Sequence, residues 1–317
     1  MRTFDYPLLL KPIPVPKVWG GGRLAHIPDR HVPDSAEPIG ECWDVSTWPT
    51  APDNPALGTV TPIANGPLAG TPLDQVVDVP VVVKLLDSGD VLSVQSHPVQ
   101  PDVHKDEMWY VLEADEGAYL YLGLKDNADR ERLCALISSP QPDEDQVLGL
   151  LARHDGLRHG SHFSVPTGTV HALGPGLLTF EISEKSQVTY RLYDYNRKRS
   201  CGKLDISEGC ASIMAVRPDL PVLDHGLRID GAAQVELITQ FPTFCVALVT
   251  GDAFRVSSAE HMHLVTASDG DLKISGPGRD WDIVLPYSFT CLVPPVSRAY
   301  SVDTQGSGEA LISPLAD

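Results

Sequence analysis

The sequence predicts a mainly β protein that consists of two antiparallel barrels of jelly-roll type and a small helical insertion. Gly and Pro are frequent, with 26 and 28 among 317 residues, which favours many turns over long helices. Short apolar runs of strand length lie between these turns. A strand–turn–strand pattern in the last third of the chain repeats an earlier one, which indicates two units of the same kind.

The elements follow from this pattern in chain order. Residues 1 to about 75 are rich in Pro and Gly and are predicted to form irregular ribbon and edge strands. The helical insertion is predicted from Asp129 to about His159, where apolar residues recur at helical spacing, and a short helix is predicted near 206–214. The predicted strands of this first unit are 79–86, 91–95, 108–112, 118–121, 162–166, 177–182 and 187–195.

The second unit follows a linker that contains Pro218 and Pro221, and its strands are predicted from about 232 to 314. It repeats the spacing of the first unit without its histidine. In the first unit His171 lies five residues after Pro166 of a Val-Pro pair, and in the second unit Ala299 lies five residues after Pro294 of such a pair. The predicted domains are therefore 1–215, which includes the N-terminal ribbon and the helical insertion, and a degenerate barrel, 216–317.

Composition limits the classes of partner and compartment. The chain has 24 Lys+Arg against 42 Asp+Glu, a formal charge of −18, which opposes binding to nucleic acid and to anionic membranes. No apolar run approaches the ~18 residues of a membrane span, and no secretory segment follows Met1, so we expect a cytoplasmic protein. No C-x-x-C pair occurs, which favours free thiols over a disulfide framework. The six cysteines are Cys42, Cys134, Cys201, Cys210, Cys245 and Cys291.

The most informative stretch places Gln95, His97 and Glu107 within thirteen positions, and His171 follows later. Two imidazoles, a carboxylate and an amide oxygen suit one Zn²⁺ or a neighbouring first-row ion, and they leave room for water or substrate. Ser93, Gln95 and His97 share one face if the strand continues. A single histidine is more often structural, and it is the combination of these residues that indicates a metal site.

These motifs together resemble those of the type I mannose-6-phosphate isomerases, the phosphomannose isomerases of the cupin type. The resemblance covers most of the first two thirds of the chain, and the order and spacing of the motifs are more specific than any one of them. The matching segments are 18–21, 40–46, Lys84 with 92–98, 105–107, 166–172, and Glu181 with 189–197. Ser96, Leu173 and a short segment between His97 and Glu107 depart from the common pattern.

The resemblance implies two cupin-like barrels and the interconversion of mannose 6-phosphate and fructose 6-phosphate through an enediol. It implies one Zn²⁺ per chain, held by Gln95, His97, Glu107 and His171. The implied substrate-binding residues are Glu41, Lys84, Ser93 and Arg197, and the implied catalytic residues are Arg191, Glu181 and Lys105. The proton-transfer base is open between Glu181 and Lys105, with metal-bound water as a third candidate.

Other functions remain open at this point. In an acidic chain, the cations of Lys84, Lys105, Arg191 and Arg197 beside the proposed ligands favour an anionic substrate, a sugar phosphate. An isomerase or epimerase of the same fold that acts on another, possibly unphosphorylated, sugar is the first alternative, because Ser96 and Leu173 depart from the pattern. A non-catalytic sugar-binding cupin is the second. The sequence carries no prediction of the oligomeric state.

Overall fold

The structure is a computed structural model of the chain. It describes residues 4–48, 59–99, 105–186, 188–197, 203–214, 226–257, 261–295 and 299–316. The predicted linker prolines, Pro218 and Pro221, lie outside the described residues.

The described residues are mainly strand. Their α-helices are α1 Arg130–Ile137, α2 Glu144–Leu148 and α3 Ile206–Ser212. The strands up to α3 are β1 Leu8–Leu9, β2 Ile13–Pro16, β3 Ile39–Val45, β4 Val81–Ser88, β5 Val94–Ser96, β6 Glu107–Ala114, β7 Leu120–Leu124, β8 Leu151–His154, β9 His162–Val165, β10 His171–Leu173, β11 Leu177–Glu184 and β12 Tyr190–Tyr193. The later strands are β13 Arg228–Gly231, β14 Gln234–Gln240, β15 Cys245–Thr250, β16 Ala253–Ser257, β17 His263–Thr266, β18 Leu272–Ser275, β19 Asp282–Leu285, β20 Thr290–Val293, β21 Ala299–Asp303 and β22 Glu309–Pro314.

The strands form two units of two antiparallel sheets each. The first unit pairs a sheet of order β2-β3-β4-β11-β6-β9 with one of order β12-β5-β10-β7-β8. The second unit pairs β1-β20-β17-β22-β15-β14 with β13-β16-β21-β18-β19. The predicted fold class, mainly β with two units and a small helical insertion, is confirmed. The N-terminal strand β1 belongs to a sheet of the second unit, where Leu8 pairs with Leu292.

The larger sheet of the first unit is buried on both faces, which explains the nearly continuous apolar sequence of β4. One face, which includes Val83, Leu85 and Phe180, packs into a single core with residues of the second unit such as Val246 and Leu264. Because side chains alternate along a strand, the intervening residues face the interior of the first unit. This alternation places Lys84 and Glu181 inside that unit.

The helical insertion is shorter than predicted. After α2 the chain enters β8 at Leu151, so the apolar residues that continued the helical spacing belong to a strand. α1 and α2 begin at capping carboxylates, since Asp129 accepts the N–H of Arg132 and Asp143 accepts the N–H of Gln146.

The prediction of free thiols is wrong for one pair of cysteines. Cys134 of α1 and Cys210 of α3 form a disulfide across a sequence separation of 76, with Cα atoms 5.9 Å apart. The tertiary packing of α3 against α1 brings them together, and no short cysteine spacing in the sequence indicates it. Cys42, Cys245 and Cys291 are buried and form no disulfide within the described residues, in agreement with the prediction. Cys201 lies outside the described residues.

Arg30 connects the two units from a buried position, with 2% of its surface exposed. Its guanidinium donates two hydrogen bonds to Asp44 of β3, at 2.7 and 2.9 Å, and one to the carbonyl of Ser288 in the second unit, at 2.6 Å. It also lies 4.5 Å from the centre of the Phe289 ring. Charge and hydrogen-bonding capacity are therefore both satisfied across the contact between the units.

The Arg30→Ala variant is expected to lower the free energy of unfolding by about 3–5 kcal/mol, because it leaves the Asp44 carboxylate buried without its cation. Denaturant-induced unfolding measures this loss. The double variant Arg30→Met/Asp44→Leu removes both charges and should recover most of the stability. Equal losses in the single and double variants would contradict this account.

A second polar contact between the units involves His159, Tyr110 and Glu309. Glu309 of β22 accepts a hydrogen bond from the Tyr110 hydroxyl at 2.5 Å, and Nε2 of His159 lies 3.2 Å from the same carboxylate. Nδ1 of His159 lies 3.0 Å from the carbonyl of Leu112. Since both ring nitrogens face acceptors, the hydrogen bond to Glu309 raises the pKa of His159 to about 9, against the opposing effect of burial.

This raised pKa predicts a pH-dependent contribution to stability. The folded pKa of His159 is above its ordinary value of 6.5, so the contribution is complete below about pH 6.5 and is lost as the pH rises through about 9. The Tm difference between the wild type and His159→Gln should therefore be larger at about pH 6 than at about pH 10. A difference that does not change with pH would show that His159 carries no extra proton in the folded state.

Candidate functional site

A cavity of about 310 Å³ lies inside the first unit and is lined by both of its sheets. Its volume is at the lower end of the range for small-molecule sites. Most of the predicted site residues line it: Glu41, Lys84, Ser93, Gln95, Lys105, Glu107, Glu181 and Arg191.

His97, Glu107 and His171 form a buried group at one side of this cavity. Each offers a ligand atom, and the three atoms lie within 4.8 Å of one another. Nε2 of His97 lies 3.3 Å from Glu107 Oε1, and Nε2 of His171 lies 3.6 Å from Glu107 Oε2. The structure thus brings together three of the four predicted metal ligands.

Strand pairing explains how residues distant in sequence meet here. His171, the first residue of β10, is the register partner of Gln95 on β5, and Gln95 is also the partner of Arg191 on β12. Glu107 begins β6 in the opposite sheet, where it pairs with Ser183. The fourth predicted ligand, Gln95, therefore lies between His171 and Arg191 and lines the cavity.

Hydrogen bonds to backbone carbonyls orient both imidazoles. Nδ1 of His97 donates to the carbonyl of Val188 at 3.2 Å, and Nδ1 of His171 donates to the carbonyl of Thr169 at 2.8 Å. A carbonyl only accepts, so each Nδ1 carries a proton, and Nε2 is the ring nitrogen that faces Glu107. Carbonyl contacts of this kind fix the orientation of metal-binding histidines.

The charges in this group also suit a cation. Burial lowers the pKa of His171 to about 4, with a further lowering by His97, so His171 is neutral at pH 7. Burial would raise the pKa of Glu107, but Lys105 and the two imidazoles hold it well below its usual range. Metal ligands must be in these deprotonated forms.

A metal ion fits this donor set. His97 Nε2, His171 Nε2 and Glu107 Oε2 are buried side-chain atoms without a hydrogen-bond partner in the described part of the chain. Such atoms are costly unless another group satisfies them. A divalent cation coordinated by the three atoms would satisfy all of them at once.

Two further carboxylates in the cavity are each held by a lysine and a tryptophan. Glu41 pairs with Lys17 at 3.2 Å and accepts the indole N–H of Trp43 at 2.8 Å. Burial by itself would raise the pKa of Glu41, but the nearby charges of Lys17 and Lys84 lower this pKa to about 2.

Glu181 is held in the same manner. It pairs with Lys84 at 3.3 Å and accepts the indole N–H of Trp109 at 3.1 Å. Burial lowers the pKa of Lys84, but Glu181, Glu41 and Glu107 together raise it above its ordinary value. Lys84 therefore stays charged between these carboxylates.

Arg191 and Arg197 differ in their partners, although the resemblance implied a role in the site for both. The Arg191 side chain lines the cavity, and its buried Nη1 has no hydrogen-bond partner among the residues that the structure describes. Arg197 binds Asp194 and donates to the carbonyl of Val91 at 2.7 Å, and it is not among the residues that line the cavity. A substrate role for Arg197 stays a prediction.

The sequence interpretation missed Lys17 and the tryptophans of the cavity. Strand alternation could have identified two of these tryptophans. Trp43 lies two residues after Glu41 on β3, and Trp109 lies two residues after Glu107 on β6, so each shares a strand face with a predicted site residue. Lys17 had no comparable signal, because its approach to Glu41 depends on the pairing of β2 with β3.

Comparison with known proteins agrees with this geometry. The chain is 33% identical over 217 residues to a mannose-6-phosphate isomerase of Streptococcus mutans, a match that covers 62% of this chain and 63% of that protein. It is 34% identical over 219 residues to a probable mannose-6-phosphate isomerase of Bacillus subtilis, with 62% and 64% covered. The matches thus span less than two thirds of these relatives. No protein-family model matches the chain.

Solved structures extend the comparison over the whole fold. A mannose 6-phosphate isomerase of Bacillus subtilis superposes with a TM-score of 0.79 at 23% identity, covering 98% of this chain and 99% of that one. The chain resembles the mannose-6-phosphate isomerases. A putative mannosephosphate isomerase of Archaeoglobus fulgidus, at 17% identity and with all of both chains covered, has a TM-score of 0.71. The resemblance to phosphomannose isomerases and the two-unit cupin fold expected from the sequence are both confirmed.

The described part of the chain contains no helix with the length and apolar character needed to cross a membrane.

Proposed function

We propose that the protein is a zinc-dependent mannose-6-phosphate isomerase that interconverts mannose 6-phosphate and fructose 6-phosphate. The observation that carries this proposal is the His97–Glu107–His171 group, with its unsatisfied buried ligand atoms, beside a cavity that contains an unpaired arginine nitrogen. The names of the sequence relatives support the same reaction. A cytoplasmic location is part of the proposal.

His97, Glu107 and His171 would hold the zinc, with Gln95 as the fourth protein ligand. A mixed nitrogen and oxygen donor set is typical of Zn²⁺ sites in enzymes. When bound, the ion supplies Lewis-acid polarisation of the sugar oxygens.

Proton transfer between C2 and C1 needs a base that reaches the cavity. Lys105 is in a 2.5 Å ion pair with Glu107, and an ammonium in an ion pair has no lone pair to accept a proton. Glu181 is a carboxylate oriented by Lys84 and Trp109 and lines the same cavity. We therefore assign proton transfer to Glu181, and Lys105 a role in holding Glu107.

Arg191 would bind the anion, either the phosphate or the developing enediolate. Lys17, Lys84 and Lys105 each already pair with a carboxylate of the cavity. Arg191, whose buried Nη1 has no hydrogen-bond partner among the described residues, is therefore the cation best placed to accept a new anion, and its planar group suits phosphate or enediolate oxygens.

A coupled isomerase assay with and without chelator, together with elemental analysis of the same sample, tests the proposal. We expect stoichiometric metal and turnover of mannose 6-phosphate that chelator abolishes. Glu181→Gln should keep the metal and lose turnover. Full activity in a metal-free preparation would refute the metal-dependent mechanism.

The pairing of the three lysines with carboxylates also favours a second candidate function, an isomerase that acts on an unphosphorylated sugar. With these lysines neutralised by carboxylates, an unphosphorylated sugar would meet a cavity with little excess charge. Parallel assays with mannose and mannose 6-phosphate separate the two, since the second candidate predicts a higher kcat/KM for mannose.

A further inference from the structure

Helix α3 contacts several segments that carry residues of the candidate site. It packs against β5 and β12 of the smaller sheet, and against α1 of the helical insertion. β5 carries Gln95, and β12 carries Arg191. None of the α3 side chains lines the cavity, so any effect of α3 on the site must act through these strands.

Asp205, immediately before α3, binds the backbone of Arg191 on both sides. Its carboxylate accepts the N–H of Arg191 at 3.3 Å, and its own N–H donates to the Arg191 carbonyl at 2.7 Å. β12 is the edge strand of its sheet, so no second strand of the described residues lies beside Arg191. Asp205 takes the place of that missing strand at the position of Arg191.

The carboxylate of Asp205 makes this contact instead of capping its own helix. Asp205 occupies the N-cap position of α3 but makes no side-chain cap, whereas Asp129 and Asp143 cap α1 and α2. An N-cap bond contributes about 1 kcal/mol to helix stability. The bond to Arg191 is therefore formed at the expense of a local stabilising contact.

The end of α3 binds β5, which carries Gln95 and directly precedes His97. The hydroxyl of Ser212 lies 2.7 Å from that of Ser96, and the Ser96 hydroxyl also donates to the carbonyl of Gly209 at 3.2 Å. Ser96 is fully buried and lies between Gln95 and His97. These bonds hold β5 from the side opposite the cavity.

The last residue of α3 and the segment just after it also meet the loop before His171. The N–H of Met214 donates to the carbonyl of Gly168 at 2.9 Å. Gly168 has a φ of +84°, and a Cβ at this position would meet the carbonyl of Ser212 at 3.0 Å. Close approach of this loop to α3 thus requires glycine at 168.

We propose that α3 is a positioning element of the site, in which Asp205 orients Arg191 and Ser212 orients the metal-ligand strand β5. A seven-residue helix is too short to be stable alone, so it depends on its tertiary contacts and on the Cys134–Cys210 disulfide that joins it to α1. The kinetic part of this proposal rests on the proposed function, but its structural part does not.

Asp205→Ala tests the contact with Arg191. We expect hydrogen exchange in a peptide spanning β12 to be about tenfold faster and kcat/KM for mannose 6-phosphate to fall about tenfold, with metal content unchanged. Asp205→Asn keeps an oxygen acceptor and should restore both values. The matched control is Asp143→Ala, which removes the cap of α2 and should leave β12 exchange and kcat/KM at wild-type values.

Ser212→Ala tests the contact with β5. We expect the affinity for added Zn²⁺, measured by chelator competition, to fall about tenfold, with faster exchange in β5 and unchanged exchange in β12. Ser138→Ala, which removes a hydroxyl at the end of α1, is the control. The Cys134→Ser/Cys210→Ser variant should speed up exchange in both strands, because it releases the whole helix.

Wild-type exchange in β12 and wild-type kcat/KM in Asp205→Ala would overturn the role of Asp205, and unchanged Zn²⁺ affinity in Ser212→Ala would overturn that of Ser212. If the wild-type protein does not isomerise mannose 6-phosphate, the proposed function fails, and the exchange measurements still decide whether α3 orders these strands.

Discussion

The His97→Ala variant is expected to lose its metal and, with it, isomerase activity by at least about a hundredfold, because Lewis-acid polarisation contributes several kcal/mol to such reactions. His97 provides one of the three mutually close ligand atoms, and only 2% of its side-chain surface is exposed. Elemental analysis and the coupled assay measure the two losses in one sample.

The exposed His26 supplies a matched control, since His26→Ala removes an imidazole outside the site. This control should retain both metal and turnover. Metal at wild-type stoichiometry in His97→Ala would mean that His97 is not a ligand. Retained metal with lost turnover would instead assign His97 to binding of the substrate.

The Arg191→Ala variant is expected to retain its metal and to lose turnover of mannose 6-phosphate by about 10²–10³-fold. The reason is that its guanidinium lines the cavity with a buried nitrogen that no group within the described ranges satisfies. Arg191→Lys keeps the charge but not the planar donor pair, and should recover only part of the activity.

The distribution of this loss between kcat and KM distinguishes two roles for Arg191. Loss of a phosphate contact that is equally strong in the ground and transition states should raise KM alone. Loss of an interaction that stabilises the enediolate should lower kcat. Arg153→Ala is the control, since Arg153 is an exposed cation that stacks on Tyr119 and pairs with Asp155. Normal turnover in Arg191→Ala would place the anion site elsewhere.

The predicted site residues agree best with the structure where their positions follow from the alternation of side chains along a strand. Gln95 and Glu107 were predicted from residue type and spacing, and both line the cavity. His97 and Glu107 join His171 in the buried group, as the ligand set required. Their roles as metal ligands stay predictions until metal is measured.

The sequence was less informative about which carboxylate each cationic side chain pairs with. Lys84, Lys105, Arg191 and Arg197 looked equivalent as cations beside the ligands. In the structure, two of them pair with carboxylates of the cavity and Arg197 pairs with Asp194, while Arg191 keeps an unsatisfied nitrogen. Partner choice depends on distances between separate strands, which residue type does not reveal.

By itself, the sequence determined the mainly β class, the two units and a ligand set that matches a metal site, because strand periodicity and residue chemistry are local properties. Tertiary structure decided the rest: the pairing of Lys17 with Glu41, the buried Arg30–Asp44 contact between the units, and the disulfide that joins α1 to α3. Each of these depends on the register and packing of segments that are distant in the chain. The physical reason is that burial and the position of a partner set the energy of a charge or a thiol, and both arise only when the sheets assemble.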